Sequence, residues 1–207
     1  MPTSHYQKIP NIMEIITTLN PNTILDVGTG FGKYGVLCRE YLELWDGKEQ
    51  YNNFRRRIDG IEIFESYITP LHNFIYNNIY IGNVLEMDDL NQYDLVLLID
   101  IIEHIEKQQG KQLIKNLLEK NKAVLVVTPK KPAIQKEMFG NPHESHISKW
   151  TEKDLSAFGE TFFSNDTDNL IACIGNTGLL KKIFIKRARR KITKIPFVRQ
   201  IYKAVKK

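Results

Sequence analysis

Cysteine is scarce in this chain: only Cys38 and Cys173 among 207 residues, both set in apolar patterns. Two thiols cannot supply a four-ligand structural zinc site, and neither has the basic loop neighbour that activates a nucleophilic cysteine. A disulfide scaffold, thiol catalysis and cysteine-held zinc are therefore set aside, and the pair reads as buried free thiols in a reducing compartment. Long hydrophobic runs are also missing, so no stretch reaches membrane-span length. The opening residues MPTSHYQKIP lack the apolar core of a secretory signal. The expectation is a cytoplasmic protein. Hydrophobic content of 42% and charged content of 26% suit one globular domain with a sizeable core.

The last 27 residues lack acid altogether. They carry 12 of the 29 Lys and Arg and none of the 24 Asp and Glu, leaving residues 1–180 with a formal −7. The division expected is a domain over 1–180 and a basic arm over 181–207. Leu179, Leu180, Ile183 and Phe184, then Phe197, Val198, Ile201, Tyr202 and Val205 beyond Pro196, put an apolar stripe on two short basic helices. Interleaved apolar residues are unnecessary for phosphate binding, so the arm points to an anionic membrane surface, peripheral to its inner face, ahead of nucleic acid. The plainer alternative is a stripe packed back on the domain with its charges in water.

Alternating elements fill the rest. Pro10–Leu19 has helical apolar spacing; Thr23–Val27 is a strand, Lys33–Leu44 a helix, and Trp45–Arg57 a polar insertion ending in the solvated run Arg55–Arg57. Strands follow at Arg57–Ile63, Asn78–Ile81, Tyr93–Ile99 and Lys122–Thr128, with helices at Tyr67–Tyr76 and after Ile105. The nearly all-apolar Tyr93–Ile99 suits a central parallel strand buried on both faces. Lys130–Lys149 is a long aperiodic loop, a length usually functional or disordered. Thr151 caps a helix, with Asp154 completing the box, and Glu160–Ser164 with Asn169–Ile174 forms an antiparallel hairpin. The order predicts a doubly wound, mostly parallel α/β sheet with helices on both faces.

The stretch with the most chemistry is Thr23–Gly35, TILDVGTGFGKYG. A β-branched strand runs into Gly28, Gly30 and Gly32, then a helix begins, which presents backbone N–H groups and a helix N-terminus to a ligand. The phosphate-loop motif is excluded. Tyr34 stands where Ser or Thr is needed, and Val27 replaces the leading glycine. Asp26 is a carboxylate at the strand's end, which suits a cationic amino group. Glu62, near the end of the second strand, can accept hydrogen bonds from ribose hydroxyls, a need that S-adenosylmethionine and NAD share.

LDVGTGFGKYG resembles the first motif of class I S-adenosylmethionine-dependent methyltransferases. That resemblance implies a Rossmann-like fold and a cofactor crevice formed by Asp26, Gly28, Thr29, Gly30 and Gly32, with Glu62 and Ile63 at the ribose. It places Asn83 and Val84 at the adenine, where the family usually has an acid instead of Asn83, and Asp100 near the methyl group.

Two further segments sharpen it. DIIEHIE (Asp100–Glu106) and GNPHESHISKWT (Gly140–Thr151) closely resemble small bacterial-type methyltransferases of glycan and secondary-metabolite modification. This implies transfer to oxygen on a small-molecule or glycan acceptor, sugar-like and glycan- or lipid-linked, with Asp100, Glu103, His104 and His146 as catalytic candidates. The same four residues are also similar to the carboxylate-x-x-Glu-His and later His of small-RNA 3′-end 2′-O-methyltransferases. There they would hold a divalent metal at a terminal ribose. The metal-free reading is placed first. The plain readings are that Glu103 and His104 begin a helix, and that His143 and His146 lie on a surface loop. A third class is a catalytically silent cofactor-binding module working through its arm.

Overall fold

The computed structural model describes residues 5–47, 53–87, 90–132 and 135–192, with the side chains of 190–192 excepted. Seven strands form one sheet in the order β3-β2-β1-β4-β5-β7-β6. They are β1 (Thr23–Val27), β2 (Arg57–Glu62), β3 (Asn78–Ile81), β4 (Leu95–Ile99), β5 (Ala123–Pro129), β6 (Thr161–Ser164) and β7 (Asn169–Gly175). The first five pair in parallel; β7 runs antiparallel to both β5 and β6. The predicted doubly wound sheet with its closing hairpin is present, and the strands begin and end within two residues of expectation.

Alternate residues of each strand feed two cores. On one face Ile24, Leu95, Leu97 and Ile99 meet α1 (Ile9–Leu19), α2 (Lys33–Arg39) and α6 (Thr177–Ile192). On the other, Leu25, Val96, Leu98 and Val126 meet α4 (Lys107–Lys120) and α5 (Glu152–Ser156). Every residue of β4 is buried, as a strand covered by helices on both faces must be.

Several elements differ from expectation for visible reasons. The helix from Lys33 is α-helical only to Arg39 and continues with π geometry over Glu40–Leu44. That turn brings the buried Glu43 carboxylate to 2.7 Å from the Arg39 guanidinium, which also donates to Ile75 O and Asn77. In the Arg55–Arg57 run Arg55 is exposed as expected, whereas Arg56 and Arg57 are half-buried. Glu43 accepts from the backbone N–H of Arg55 and Arg56, the Arg56 side chain donates to Leu42 and Pro21 carbonyls, and Arg57 lies over Tyr93. Between Tyr67 and Tyr76 the helix α3 spans only Pro70–Ile75, because Pro70 serves as a first-turn residue behind the Thr69–His72 capping box. Residues 48–52 of the insertion fall outside the described chain.

The C-terminal helix crosses the division expected at residue 180. Leu180 and Ile183 enter the core, and Arg187 pairs with Glu14 at 3.1 Å and donates to Ser164. The second basic helix expected after Pro196 lies outside the described residues. Among those described, no helix is long and apolar enough to cross a membrane.

Candidate active site

β1 ends in a turn whose Gly28, Gly30 and Gly32 all have positive φ (74°, 53° and 80°). Such backbone favours residues without a Cβ, and at Gly28 a Cβ would stand 2.0 Å from the Ile101 side chain. The turn is tied to β2: the N–H groups of Gly28 and Thr29 donate to Ile61 O. Glu62 closes the arrangement. Its buried carboxylate accepts from Gly30 N at 2.8 Å and Phe64 N at 3.0 Å, and burial raises its proton affinity against those bonds. His72, fully buried, completes the support. Its Nδ1 accepts from Thr69 N–H, which places the proton on Nε2, and Nε2 donates to Gly30 O at 2.9 Å.

A cavity of about 230 Å³ opens beyond the carboxyl ends of the parallel strands, where ligands of open α/β sheets lie. Gly28, Thr29, Gly30, Glu62, Ile63, Asn83, Val84, Asp100 and His104 line it. Gly32 does not; its N–H donates to Thr29 O and it caps α2. Asn83 caps the following turn, its amide oxygen accepting from Leu85 N at 3.1 Å and its amide donating to Glu86.

Asp26 is a correction. It is buried beneath the turn rather than facing the cavity, and accepts a hydrogen bond of 2.6 Å from the Tyr76 hydroxyl. Desolvation, only partly offset by that bond, pushes its pKa up to about 7. The acid that faces the cavity at this end is Asp100, which has a φ of 55°. Lys8 reaches it from the far end of the sequence, Nζ lying 2.5 and 2.6 Å from its two oxygens. Sequence spacing carried no signal for Lys8, 92 residues away.

The long loop after β5 is fastened onto the turn Ile102–His104. Ile147 N and Ser148 N both donate to Glu103 O, and Ser148 Oγ and Trp150 Nε1 donate to Ile102 O. Trp150 fits because Gly110 in α4 leaves room: a Cβ there would come within 2.7 Å of the indole. Glu103 and His104 thus belong to a short 3-10 turn, and the helix starts later, at Lys107.

This fastening brings His146 against His104, ring centroids 4.9 Å apart, and the ligating atoms of Glu103, His104 and His146 within 4.8 Å of one another. Asp100 is not part of that group among the described residues. His104 Nδ1–H donates to Ser145 O at 3.0 Å, leaving the Nε2 lone pair available, and burial lowers its pKa. Glu103 is 1% exposed, and neither carboxylate oxygen has a hydrogen-bond partner among the described residues. Burial and the neighbouring Asp100 charge raise its pKa, while Thr128 and Lys8 offset this only in part. Neither Glu103 nor His146 lines the cavity; His104 joins the two regions. On the loop side His143, Asn141 and Glu144 complete the wall, and Glu144 accepts from the Tyr67 hydroxyl at 3.1 Å.

No family model matches the chain, and no curated protein matches it in sequence. Solved structures do. The N-terminal domain of EvdMO1 with SAH bound superposes with a TM-score of 0.56 at 14% identity, covering 83% of this chain and 82% of that one. The methyltransferase domain of bacterial CtHen1 gives 0.55 at 16%, covering 82% and 98%. Magnesium protoporphyrin IX methyltransferase (ChlM) from Synechocystis PCC 6803 with bound SAH gives 0.56 at 12%, covering 83% of each chain. The chain has the Rossmann-like fold of class I methyltransferases.

Proposed function

We propose that this protein transfers a methyl group from S-adenosylmethionine to a hydroxyl oxygen of a sugar-type acceptor. The observation that carries the reading is one cavity with two different walls. The glycine turn, Glu62 and Asp100 form one side, and His104, His143 and the fastened loop form the other.

The residues present fit the cofactor. Glu62 Oε2 accepts from Gly30 N and, at 3.5 Å, from Thr29 Oγ1, while Oε1 accepts from Phe64 N and is the oxygen with room for a ribose hydroxyl. Asp100, in place of the buried Asp26, is the carboxylate that faces the cavity; Lys8 balances its charge, and its remaining lone pairs are what it offers the amino-acid end. Bound there, the cofactor supplies an electrophilic methyl carbon. A sugar hydroxyl is a weak nucleophile at neutral pH, so removing its proton is the chain's task. His104 is neutral through burial and has its tautomer set by Ser145 O, so Nε2 takes that proton while Asp100 and His143 orient the acceptor. Similar structures include EvdMO1 in the presence of SAH and D-fucose, which supports a sugar-type acceptor.

A second reading is favoured by Glu103. A buried carboxylate with no hydrogen-bond partner among the described residues, close to two imidazoles, is a donor set suited to a divalent ion such as Mn²⁺ or Zn²⁺. Glu103, His104 and His146 would hold it, and it would polarise the oxygens of a ribose-like diol, as an RNA 3′ end offers. Similarity to the small RNA methyltransferase HEN1, with a TM-score of 0.59 at 19% identity over 83% of this chain, supports that acceptor.

A cytoplasmic location against the inner face of a membrane is part of the proposal. On α6 the exposed Lys181, Lys182, Lys186 and Arg189 accompany the half-exposed Phe184 and Ile185, which supports contact with anionic lipid.

The test is methyl-labelled cofactor offered with free sugars, lipid-linked glycans and short RNAs ending in a 2′-hydroxyl or 2′-deoxy nucleotide, each with chelator or added Mn²⁺. Sugar turnover that survives chelator supports the first reading. Strict dependence on Mn²⁺ and on the terminal 2′-hydroxyl replaces it with the second. Cofactor binding with no turnover of any acceptor contradicts both and leaves a silent module.

A further inference from the structure

Asp100 and Glu103 stand three residues apart on the same turn, yet the structure treats them differently. Asp100 has both oxygens on Lys8 Nζ, at 2.5 and 2.6 Å, and Lys8 is itself only 4% exposed. A third contact, to Asn169 Oδ1 at 3.5 Å, uses the remaining ammonium proton. Glu103, more deeply buried than Asp100, has no hydrogen-bond partner for either oxygen among the described residues. Among the described residues the Lys8 ammonium therefore hydrogen-bonds Asp100 and not Glu103, which feels its charge only at a distance, while Lys33 on the cavity wall adds a second positive charge near Asp100.

The ligating atoms tell the same story. Glu103, His104 and His146 converge, while Asp100 stays outside their group. Lys8 comes from the turn just before α1, whose Ile12, Ile15 and Ile16 are fully buried in the core, so a well-packed element delivers the ammonium. A divalent ion recruiting Asp100 would have to share that carboxylate with a buried ammonium. Like charges competing for one carboxylate in a low-dielectric site repel strongly.

We propose that Lys8 is an internal counter-ion that withholds Asp100 from the cation site, so that a divalent ion is held by Glu103, His104 and His146 alone. The inference rests on the metal reading given above. Three protein ligands leave coordination positions open for acceptor oxygens, the pattern of catalytic rather than structural sites. A fourth ligand would close one of those positions and tighten the ion at the acceptor's expense. Lys8 is thus a positioning residue, acting through Asp100.

The experiment uses Mn²⁺ alone, titrated into the full-length chain and followed by loss of the free-ion paramagnetic resonance signal. Lys8→Met releases Asp100 and is expected to tighten Mn²⁺ binding by about ten- to a hundredfold, the usual range for a change next to a ligand set. Glu103→Gln is expected to weaken it by a similar factor. The paired variant Lys8→Met/Asp100→Asn removes both charges, so it keeps its fold even where Lys8→Met does not. It should bind Mn²⁺ within about twofold of the unsubstituted chain.

Unchanged affinity in a folded Lys8→Met, or a loss in the paired variant as large as in Glu103→Gln, overturns the inference while leaving the metal reading intact. Absence of Mn²⁺ binding in every form, the unsubstituted chain included, overturns the metal reading and the inference together.

Discussion

Individual carboxylates decide how this site works, and their environments differ more than their sequence positions suggest. Asp26, Glu62, Asp100 and Glu103 all sit at strand ends or just beyond. Yet one is under the turn on Tyr76, one is held by backbone N–H groups, one is paired with Lys8, and one has no hydrogen-bond partner among the described residues. The placement of Glu62 and Asp100 was legible, because the carboxyl end of a parallel strand is where ligands lie. Asp26 was misplaced because its side chain follows the strand's alternation into the helix layer that holds Tyr76. Lys8 left no local pattern to read.

Asp26 yields a pH prediction. Its folded pKa of about 7 lies above the ordinary 3.8, so between those values the folded state binds more protons than the unfolded one. Stability therefore falls as pH rises through that window. Denaturant unfolding of the parent and of Asp26→Asn from pH 4 to pH 7 should show the parent losing ground by up to about 4 kcal/mol relative to the variant. Parallel pH profiles would mean that the carboxyl titrates normally.

Among the elements, strands were the most legible, since unbroken or alternating apolar residues fix both their faces and their register. Helices were less so. Pro70 and the Thr69–His72 box moved the start of α3, and the buried Arg39–Glu43 pair accompanies the π turn beyond α2, neither of which apolar spacing reports. The loop after β5 was recognised as important, but its fastening through Trp150 and Gly110 depends on a close approach of distant segments.

α3 also holds the glycine turn in place through His72, and Tyr76 just beyond it holds Asp26 of β1 beneath the turn, a support with no sequence signature. His72→Phe removes the donor to Gly30 O and leaves that carbonyl unsatisfied, costing about 1–3 kcal/mol. Calorimetry should find binding of SAH about tenfold weaker, with His72→Gln recovering most of it through its amide N–H. Equal binding in His72→Phe would show that the turn holds its shape unaided.

At the scale of the molecule, the doubly wound, mostly parallel sheet and its antiparallel closing hairpin were legible from element order and from the resemblance of the motifs. The division between domain and arm was less so, because α6 combines core residues with the first basic residues of the tail. Charge asymmetry nonetheless persists at the surface: Lys181, Lys182, Lys186 and Arg189 are exposed. Replacing these four with Gln should reduce co-sedimentation with vesicles of phosphatidylcholine and phosphatidylserine, each charge contributing about 1 kcal/mol at low salt. Binding of the parent should disappear in high salt and with neutral vesicles. Retention on RNA but not on vesicles would reassign the partner.

The central claim is that the cavity beyond β1, β2 and β4 receives S-adenosylmethionine, and titration calorimetry with SAH tests it most directly. The account predicts one SAH site per chain, with Glu62→Ala weakening it by about 1–3 kcal/mol, the loss expected when a buried acceptor for hydroxyls is removed. No binding of SAH, together with saturable binding of NAD, would contradict it.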